Sequence, residues 1–164
     1  MADHCLRASQ YIQKKVKHCV RGSVPSSKLA GILMLLHSAP HAYIADMLNP
    51  IKRDLPEYKE MEDKIFDCIL KKYNLEKDYE NACGVEGGEY KKLEHPRKIQ
   101  DIIKEVDEIM LNTEKRDLMS IGQKPWNITT KKFLPYRIVP YSSQDAERLF
   151  LEEFHNFFGD KYAE

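Results

Sequence analysis

Apolar residues recur at three- and four-residue steps along much of the chain, which is the spacing of one face of an α-helix. The first stripe predicts a helix over residues 2–20, and residues 28–37, apolar almost all round, predict a second, buried helix. Similar stripes, together with prolines at helix starts, predict further helices. These helices lie at about 40–45, from 49–50 onward, at 56–73, at 96–111 and from 143 onward. Because no segment alternates as a strand does, the pattern predicts an all-α fold in a single domain, 1–164.

Two stretches lack the helical spacing. Residues 76–94 are polar and charged, contain three glycines and are predicted to form a loop. Residues 120–141 contain three prolines and are predicted to be extended before the C-terminal helix.

Pro40 interrupts the helical pattern in a different way. It has no N–H to donate and clashes with the preceding turn, so the helix before it is expected to end near Ser38 and to restart.

The composition excludes several classes of protein. The 164 residues include 26 Lys and Arg against 26 Asp and Glu, and this balance argues against a general nucleic-acid binder, which usually carries a basic excess. The longest apolar run, Leu29–Leu36, is far shorter than the roughly 18 to 20 residues that span a bilayer. The four cysteines lack C-x-x-C spacing and the N-terminus lacks a signal peptide, so we expect reduced thiols and a cytoplasmic location.

A few residues could bind a metal or take part in catalysis, and the spacing of polar and apolar residues alone leaves their roles open. On a continuous helix His37 and His41 would share a face, a spacing that can hold a metal, but Pro40 lies between them, and a structural role is commoner for such a pair. Asp107 lies within an apolar stripe, where a buried carboxylate needs a partner or a cation. The alternative is that Asp107 lies at the edge of the stripe, in solvent beside Glu108.

Several short stretches of sequence are more specific than the spacing of apolar residues. Residues 35–46 read Leu-Leu-His-Ser-Ala-Pro-His-Ala-Tyr-Ile-Ala-Asp, residues 49–52 read Asn-Pro-Ile-Lys, and residues 113–119 read Thr-Glu-Lys-Arg-Asp-Leu-Met. In their order and spacing these strings resemble the HD-domain phosphohydrolases, in particular the bacterial and phage branch related to 5′-deoxynucleotidases. The resemblance extends over nearly the whole chain, and it implies an all-α helical bundle of the HD type.

The resemblance also implies a metal site. Its ligands in this sequence would be His4, His37 and Asp107, and its cofactor would be a divalent transition metal such as Mn, Co or Zn. Catalytic roles would fall to His41 and Asp46, which follow the first helical segment of the motif.

A phosphate-binding group is implied as well, and it would consist of Lys52, Arg53 and Arg116. Each of these residues has an ordinary alternative as a solvated cation. Arg116 has a further alternative, because it can pair with Glu114 or Asp117 as a structural lock.

The chain departs from the family's pattern at two chemically central positions. Ser38 stands where the family has the aspartate of its His-Asp doublet, and His41 stands where it has a glutamate. A serine hydroxyl is neutral and a poor metal ligand, so the metal would be held more weakly and a metal-activated water would lose its anchor and its base. The family also has a segment ahead of the first histidine, whereas His4 is almost the first residue here, and we expect either a lost arm or a truncated chain.

Two main interpretations follow. In the first, which we favour, the protein is a degenerate HD protein that binds a nucleotide, a small phosphate ester or a protein partner with little or no hydrolysis. In the alternative, His41 replaces the lost aspartate as a metal ligand, and the protein is an active phosphohydrolase acting on nucleoside monophosphates. Whether it is an enzyme and whether it forms a homo-oligomer are left open. A third possibility is a purely structural interaction protein that uses the 76–94 segment.

Overall fold

The computed structural model describes residues 1–17, 26–52, 54–83, 85–86, 89–90, 99–119 and 131–159. The described chain is helical apart from a two-residue hairpin and irregular connections, which confirms the predicted all-α fold. Its elements are α1 Ala2–Lys17, α2 Ser27–Leu36, a 3₁₀ turn Ala39–Ala42, α3 Asn49–Lys52, α4 Pro56–Lys72, α5 Glu76–Cys83, β1 Val85–Glu86, β2 Glu89–Tyr90, α6 Ile99–Leu118 and α7 Ser143–Phe158. The two strands pair antiparallel, with Val85 opposite Tyr90. None of the described helices is long and apolar enough to cross a bilayer.

The chain divides into two compact units, Met1–Leu35 with His95–Glu164, and Leu36–Glu94. In the first unit α1 packs against α6 and α7. The predicted stripe of α1 is buried, and Ile12 has no exposed surface. α6 adds Val106 and Met110 to the same core, where each fully buried side chain of this size contributes about 1.5–3 kcal/mol. The part of the first predicted helix beyond residue 17 lies outside the described residues.

A glycine allows α1, α2 and α7 to approach one another closely. The Oγ of Ser9 on α1 donates a hydrogen bond to the carbonyl of Gly31 on α2 at 2.8 Å. A Cβ added to Gly31 would lie 2.6 Å from Cγ of Gln13 and 2.9 Å from Cζ of Phe157. Such distances are well inside van der Waals contact, so only glycine fits this position without movement of its neighbours.

Side chains of α1 and α6 hold the segment 131–142, which has no regular secondary structure of its own. Thr113 Oγ1 accepts from the N–H of Leu134 at 2.9 Å, and Asp117 accepts from the N–H of Ile138 at 2.8 Å. Arg7 donates to the carbonyl of Val139 at 2.8 Å. Buried backbone groups need partners, and here side chains supply them in place of a ladder. Residues 120–130 of the predicted extended stretch lie outside the described residues.

Helix α7 begins at Ser143, where the sequence predicts the last helix. The Oγ of Ser142 accepts a hydrogen bond from the N–H of Asp145 at 3.1 Å, which satisfies one of the unpaired donors of the first turn. The predicted start of the last helix is thereby confirmed.

The second unit is built around α4 and α5. Helix α4 ends where Asn74 takes a positive φ of 57°, and the N–H of Leu75 then donates to the carbonyl of Leu70 at 2.9 Å. The prediction of a loop over 76–94 is wrong in its first half, because residues 76–83 form α5. This helix lacks an apolar stripe, but Tyr79 packs edge-on against Phe66 with ring centroids 5.7 Å apart, and Cys83 is buried.

The break at Pro40 occurs as predicted. Helix α2 ends at Leu36, and the 3₁₀ turn begins at Ala39. His37 and His41 therefore do not share the face of one continuous helix, and the simple spacing argument for a metal between them does not apply.

Candidate functional site

The first candidate site lies between α1 and α6, within the first unit. Nε2 of His4 is 3.0 Å from Oδ1 of Asp107, and Nδ1 of the same ring is 2.8 Å from Oε1 of Glu114. Asp107 and Glu114 are seven residues apart, so they lie two turns apart on one face of α6, with the imidazole between them. The structure thus brings two predicted metal ligands into direct contact, although they are 103 positions apart in the chain.

The two carboxylates hold the ring of His4 in its charged form. Burial disfavours the charge, yet the hydrogen bonds to Asp107 and Glu114 outweigh it and raise the pKa of His4 to about 10. The ring is therefore an imidazolium at neutral pH and donates from both nitrogens. A metal needs the neutral ring with a lone pair on Nε2, so metal and proton compete for this atom.

The chemistry of these side chains fits two ligands of a divalent metal. An imidazole nitrogen and a carboxylate oxygen are donors that suit Zn, Mn and Co. Histidines that bind a metal commonly donate their other N–H to a carboxylate, which orients the ring, and Glu114 lies in that position relative to His4.

Asp107 is only partly buried. Its side chain is 35% exposed, whereas that of His4 is 13% exposed. The neighbouring Val106 and Met110 are fully buried. The expectation of a buried Asp107 is therefore wrong in degree, because the residue lies at the edge of the apolar stripe, as one reading of the pattern indicated.

His37 and Ser38 form the turn that follows α2. The hydroxyl of Ser38 is 3.0 Å from Nε2 of His37, a hydrogen bond between chain neighbours. The position that carries a carboxylate in the HD pattern thus holds a neutral group beside the histidine. The role of His37 as a metal ligand stays a prediction.

A second polar cluster lies in the second unit, on the 3₁₀ turn, α3 and α4. Nε2 of His41 is 2.8 Å from Oε1 of Glu62 and 3.4 Å from Oδ1 of Asp46. Nζ of Lys52 is 2.5 Å from the same Glu62 oxygen. Three predicted site residues therefore lie in one cluster: His41 and Lys52 both contact Glu62, a carboxylate that the sequence did not single out, and Asp46 contacts His41.

Tyr58 supports this cluster from one side. Its O–H donates to the carbonyl of Ala45 at 2.5 Å, which fixes the backbone next to Asp46. Nζ of Lys52 lies 5.4 Å from the centroid of the Tyr58 ring, within the range of a cation–π contact. Because Glu62 also offsets the charge of Lys52, this lysine is a weaker candidate for binding phosphate than its sequence position suggested. Arg53 lies outside the described residues.

Arg116 is engaged in structural contacts. Its Nε and Nη2 each lie 2.7 Å from an oxygen of Asp117, a bidentate pair that lowers the pKa of Asp117 to about 2. The same guanidinium donates to the carbonyls of Leu134 at 3.1 Å and Tyr136 at 2.8 Å. These contacts favour the structural lock over the substrate-binding role, with Asp117 rather than Glu114 as the partner.

Sequence reasoning missed the two glutamates that hold the candidate histidines, Glu62 and Glu114. A glutamate on a helix is ordinarily a solvated residue, and nothing in the sequence near His4 or His41 points to either one. One signal was available for Glu114. It lies seven residues after Asp107 and hence on the same helix face, so a carboxylate near the candidate ligand was foreseeable.

Comparisons with known proteins add little about function. No known protein family matches the chain, and no solved structure shows a significant match. The uncharacterized protein YfdR of Escherichia coli is 32% identical over 127 residues, which make up 74% of this chain and 58% of that protein. The matched part is therefore less than two thirds of that relative. The HD resemblance accordingly rests on the motifs of the sequence.

Proposed function

We propose that this protein binds a nucleotide or a small phosphate ester at a divalent-metal site that includes His4 and Asp107, and that it hydrolyses the ligand slowly or not at all. The observation that carries the proposal is the 3.0 Å contact between Nε2 of His4 and Oδ1 of Asp107, with Glu114 on the opposite ring nitrogen. A bound divalent metal would supply positive charge for the phosphate oxygens.

The residues of the first unit support this role by geometry and charge. His4 is largely buried and its ring is fixed at both nitrogens, so a metal replacing the Nε2 proton would meet a preoriented ligand. Asp107 is partly exposed, so a metal bound to it would be accessible to an incoming ligand. His37, which follows α2 by one residue, is proposed as a third ligand on the resemblance alone.

The expected weakness of hydrolysis follows from Ser38. A carboxylate at this position would add negative charge beside His37 and help to hold the metal, whereas a hydroxyl does neither. The alternative of an active phosphohydrolase requires His41 as a ligand in place of that carboxylate. It receives less support, because Nε2 of His41 already contacts Glu62 and only Nδ1 would remain for a metal.

Metal analysis and ligand binding together test the proposal. We expect purified protein incubated with Mn²⁺, Co²⁺ or Zn²⁺ and desalted to retain about one ion per chain, measured by mass spectrometry. His4→Ala and Asp107→Asn should lose it, and Asp101→Asn, an exposed carboxylate on the same helix, should retain it. A panel of nucleoside monophosphates should raise the melting temperature of the metal-loaded protein without phosphate release.

Three results would count against the proposal. Absence of retained metal in the wild-type protein would remove its basis. A flat thermal response to every nucleotide would leave a structural interaction protein as the better reading. Rapid phosphate release would instead support the active phosphohydrolase.

We place the protein in the cytoplasm, because Cys68 is an exposed thiol and exposed thiols suit a reducing compartment.

A further inference from the structure

The segment 131–142, in the first unit, exposes several aromatic side chains. Leu134 and Ile138 are buried, whereas Phe133, Tyr136 and Tyr141 are 42% to 49% exposed. A single exposed aromatic ring is ordinary on a protein surface and needs no explanation. Three such rings within nine residues of one segment mark a surface that can bind a partner.

The exposed rings are held by the helices beneath them. Hydrogen bonds from side chains of α1 and α6 fix the backbone of the segment. The guanidinium of Arg116 lies over the ring of Phe133, with Cζ 5.5 Å from the ring centroid. The guanidinium of Arg7 lies over the ring of Tyr141 at 4.2 Å. Because these rings are already ordered, a flat partner that stacks on them would cost little further conformational entropy.

The outward side of the same segment is cationic. Lys131, Lys132 and Arg137 are all exposed. Lys132 pairs with Glu105 at 2.8 Å, and in this pair the cation is 66% exposed whereas the carboxylate is 18% exposed. An approaching anion therefore meets the positive charge of Lys132 before the negative charge that balances it.

The zero net charge of the whole chain conceals this surface, because the charge is divided unevenly between the two units. The first unit contains 17 Lys and Arg against 13 Asp and Glu, and the second unit contains 9 against 13. The balance that argues against a general nucleic-acid binder is thus a property of the whole chain. The first unit taken by itself has the basic excess that binding to phosphates requires.

Exposed aromatic rings beside exposed cations select the chemistry of the partner. An acidic peptide would satisfy the cations but would not need flat rings, and an apolar partner would leave the cations without counter-charges. A nucleic-acid duplex offers phosphates but keeps its bases stacked on one another inside the helix. A single strand offers both phosphates and accessible bases, and stacking of bases on aromatic side chains is the common way in which proteins hold such strands.

We propose that the segment 131–142 binds single-stranded nucleic acid, with bases stacked on Phe133, Tyr136 and Tyr141 and phosphates contacted by Lys132 and Arg137. Every base has a flat face, so this binding is expected to depend little on base sequence. The residues of α6 that hold the segment are not those of the candidate metal site, and binding here is therefore independent of the proposed function.

Fluorescence anisotropy with labelled oligonucleotides tests the binding in the wild-type protein. At low salt and with a chelator present, a strand of about 20 thymidine or uridine nucleotides should bind with a dissociation constant on the order of 10 μM. A duplex of the same length should bind at least about fivefold more weakly, and so should an abasic strand with the same number of phosphates. Equal binding of all three would show attraction by charge alone and would overturn the stacking role.

Substitutions separate stacking from charge. Tyr136→Ala should weaken strand binding about fivefold or more at unchanged salt dependence, and Tyr136→Phe should keep the affinity. Arg137→Gln should weaken binding and also reduce the slope of log K against log salt concentration by about 0.7. The matched controls are Tyr43→Ala, an exposed aromatic of the second unit, and Lys28→Gln, an exposed cation of the first unit.

The outcomes are distinguishable from loss of the fold and from failure of the metal site. Because the segment is held through its backbone, the melting temperatures of Tyr136→Ala and Arg137→Gln should match that of wild type. Absence of strand binding at low salt, or equal effects of Tyr136→Ala and Tyr43→Ala, would overturn the inference. Since the chelator removes any metal, these results do not depend on whether His4 and Asp107 bind one.

Discussion

Nδ1 of His4 lies 2.8 Å from Oε1 of Glu114, a residue 110 positions later in the chain. Through this contact α6 determines how a ring on α1 presents its other nitrogen to Asp107. The orientation of the His4 ring therefore depends on Glu114 as well as on Asp107.

Glu114→Gln is expected to weaken metal binding without removing a ligand. Glutamine cannot supply the negative charge that orients the histidine ring, and loss of such a supporting carboxylate typically costs about 10–100-fold in metal affinity. Isothermal titration with Zn²⁺ or Mn²⁺ measures the change, with Glu147→Gln, an exposed residue of α7, as the matched control. Unchanged affinity in Glu114→Gln would show that Glu114 serves the fold alone.

The charge of His4 makes stability depend on pH in a defined direction. Its pKa is raised from 6.5 to about 10 on folding, so the folded state binds the proton more tightly than the unfolded chain. The resulting stabilisation is fully present below about pH 6.5 and is lost as pH rises through about 10. In urea denaturation with chelator present, wild-type protein and His4→Gln should differ most near pH 6 and converge toward pH 10. A difference that is constant over this range would contradict the expectation.

Gly31→Ala is expected to destabilise the first unit. The added Cβ would lie 2.6 Å from Cγ of Gln13 and 2.9 Å from Cζ of Phe157, and overpacking of this kind typically costs about 1–3 kcal/mol. The measurement is thermal or urea unfolding. Shortening Gln13 in the double variant Gln13→Ala with Gly31→Ala should recover part of the lost stability. A Gly31→Ala variant as stable as wild type would mean that the side chains of Gln13 and Phe157 move aside at little cost.

Arg116→Lys is expected to lower stability and to leave ligand affinity unchanged. A lysine cannot make the bidentate pair with Asp117 and also donate to the carbonyls of Leu134 and Tyr136. The melting temperature should fall by a few degrees, whereas nucleotide binding by titration should match that of wild type. A selective loss of binding at unchanged stability would return Arg116 to the substrate site.

Ser38→Asp is expected to raise metal affinity about tenfold if the added carboxylate contributes about 1.4 kcal/mol. The double variant Ser38→Asp with His41→Glu should be less stable than the single one, because the second change places a further carboxylate beside Glu62 and Asp46. Titration and melting temperature check both statements, with Ser38→Asn as the uncharged control of matched size. An equal gain in Ser38→Asn would show that charge is not the cause.

The predictability of this fold follows its apolar stripes. The helices α1, α6 and α7 were predictable because their apolar stripes are local signals in the sequence. Helix α5 was missed because its stability comes from Tyr79 and Cys83 meeting partners elsewhere in the unit, which no local pattern shows.

The candidate site was predictable only in part. The resemblance identified His4 and Asp107, and the structure places them in contact. It did not identify Glu62 or Glu114, because each reaches its histidine through the packing of separate elements, α4 against the 3₁₀ turn and α6 against α1, and not through any motif. The extent to which Asp107 is exposed, likewise, is set by the packing of Val106 and Met110 beneath it.

The irregular segment 131–142 is held at the main chain, through the amides of Leu134, Ile138 and Tyr141 and the carbonyls of Tyr136 and Val139. These hydrogen bonds use backbone atoms of the segment, so they do not depend on which side chain each of its residues carries. Exposed positions in the segment should therefore accept many replacements. The insertion or deletion of a single residue between Leu134 and Tyr141 would move the amides and carbonyls on one side of it out of register with their partners on α1 and α6, so the length of this segment is constrained even where its side chains are not.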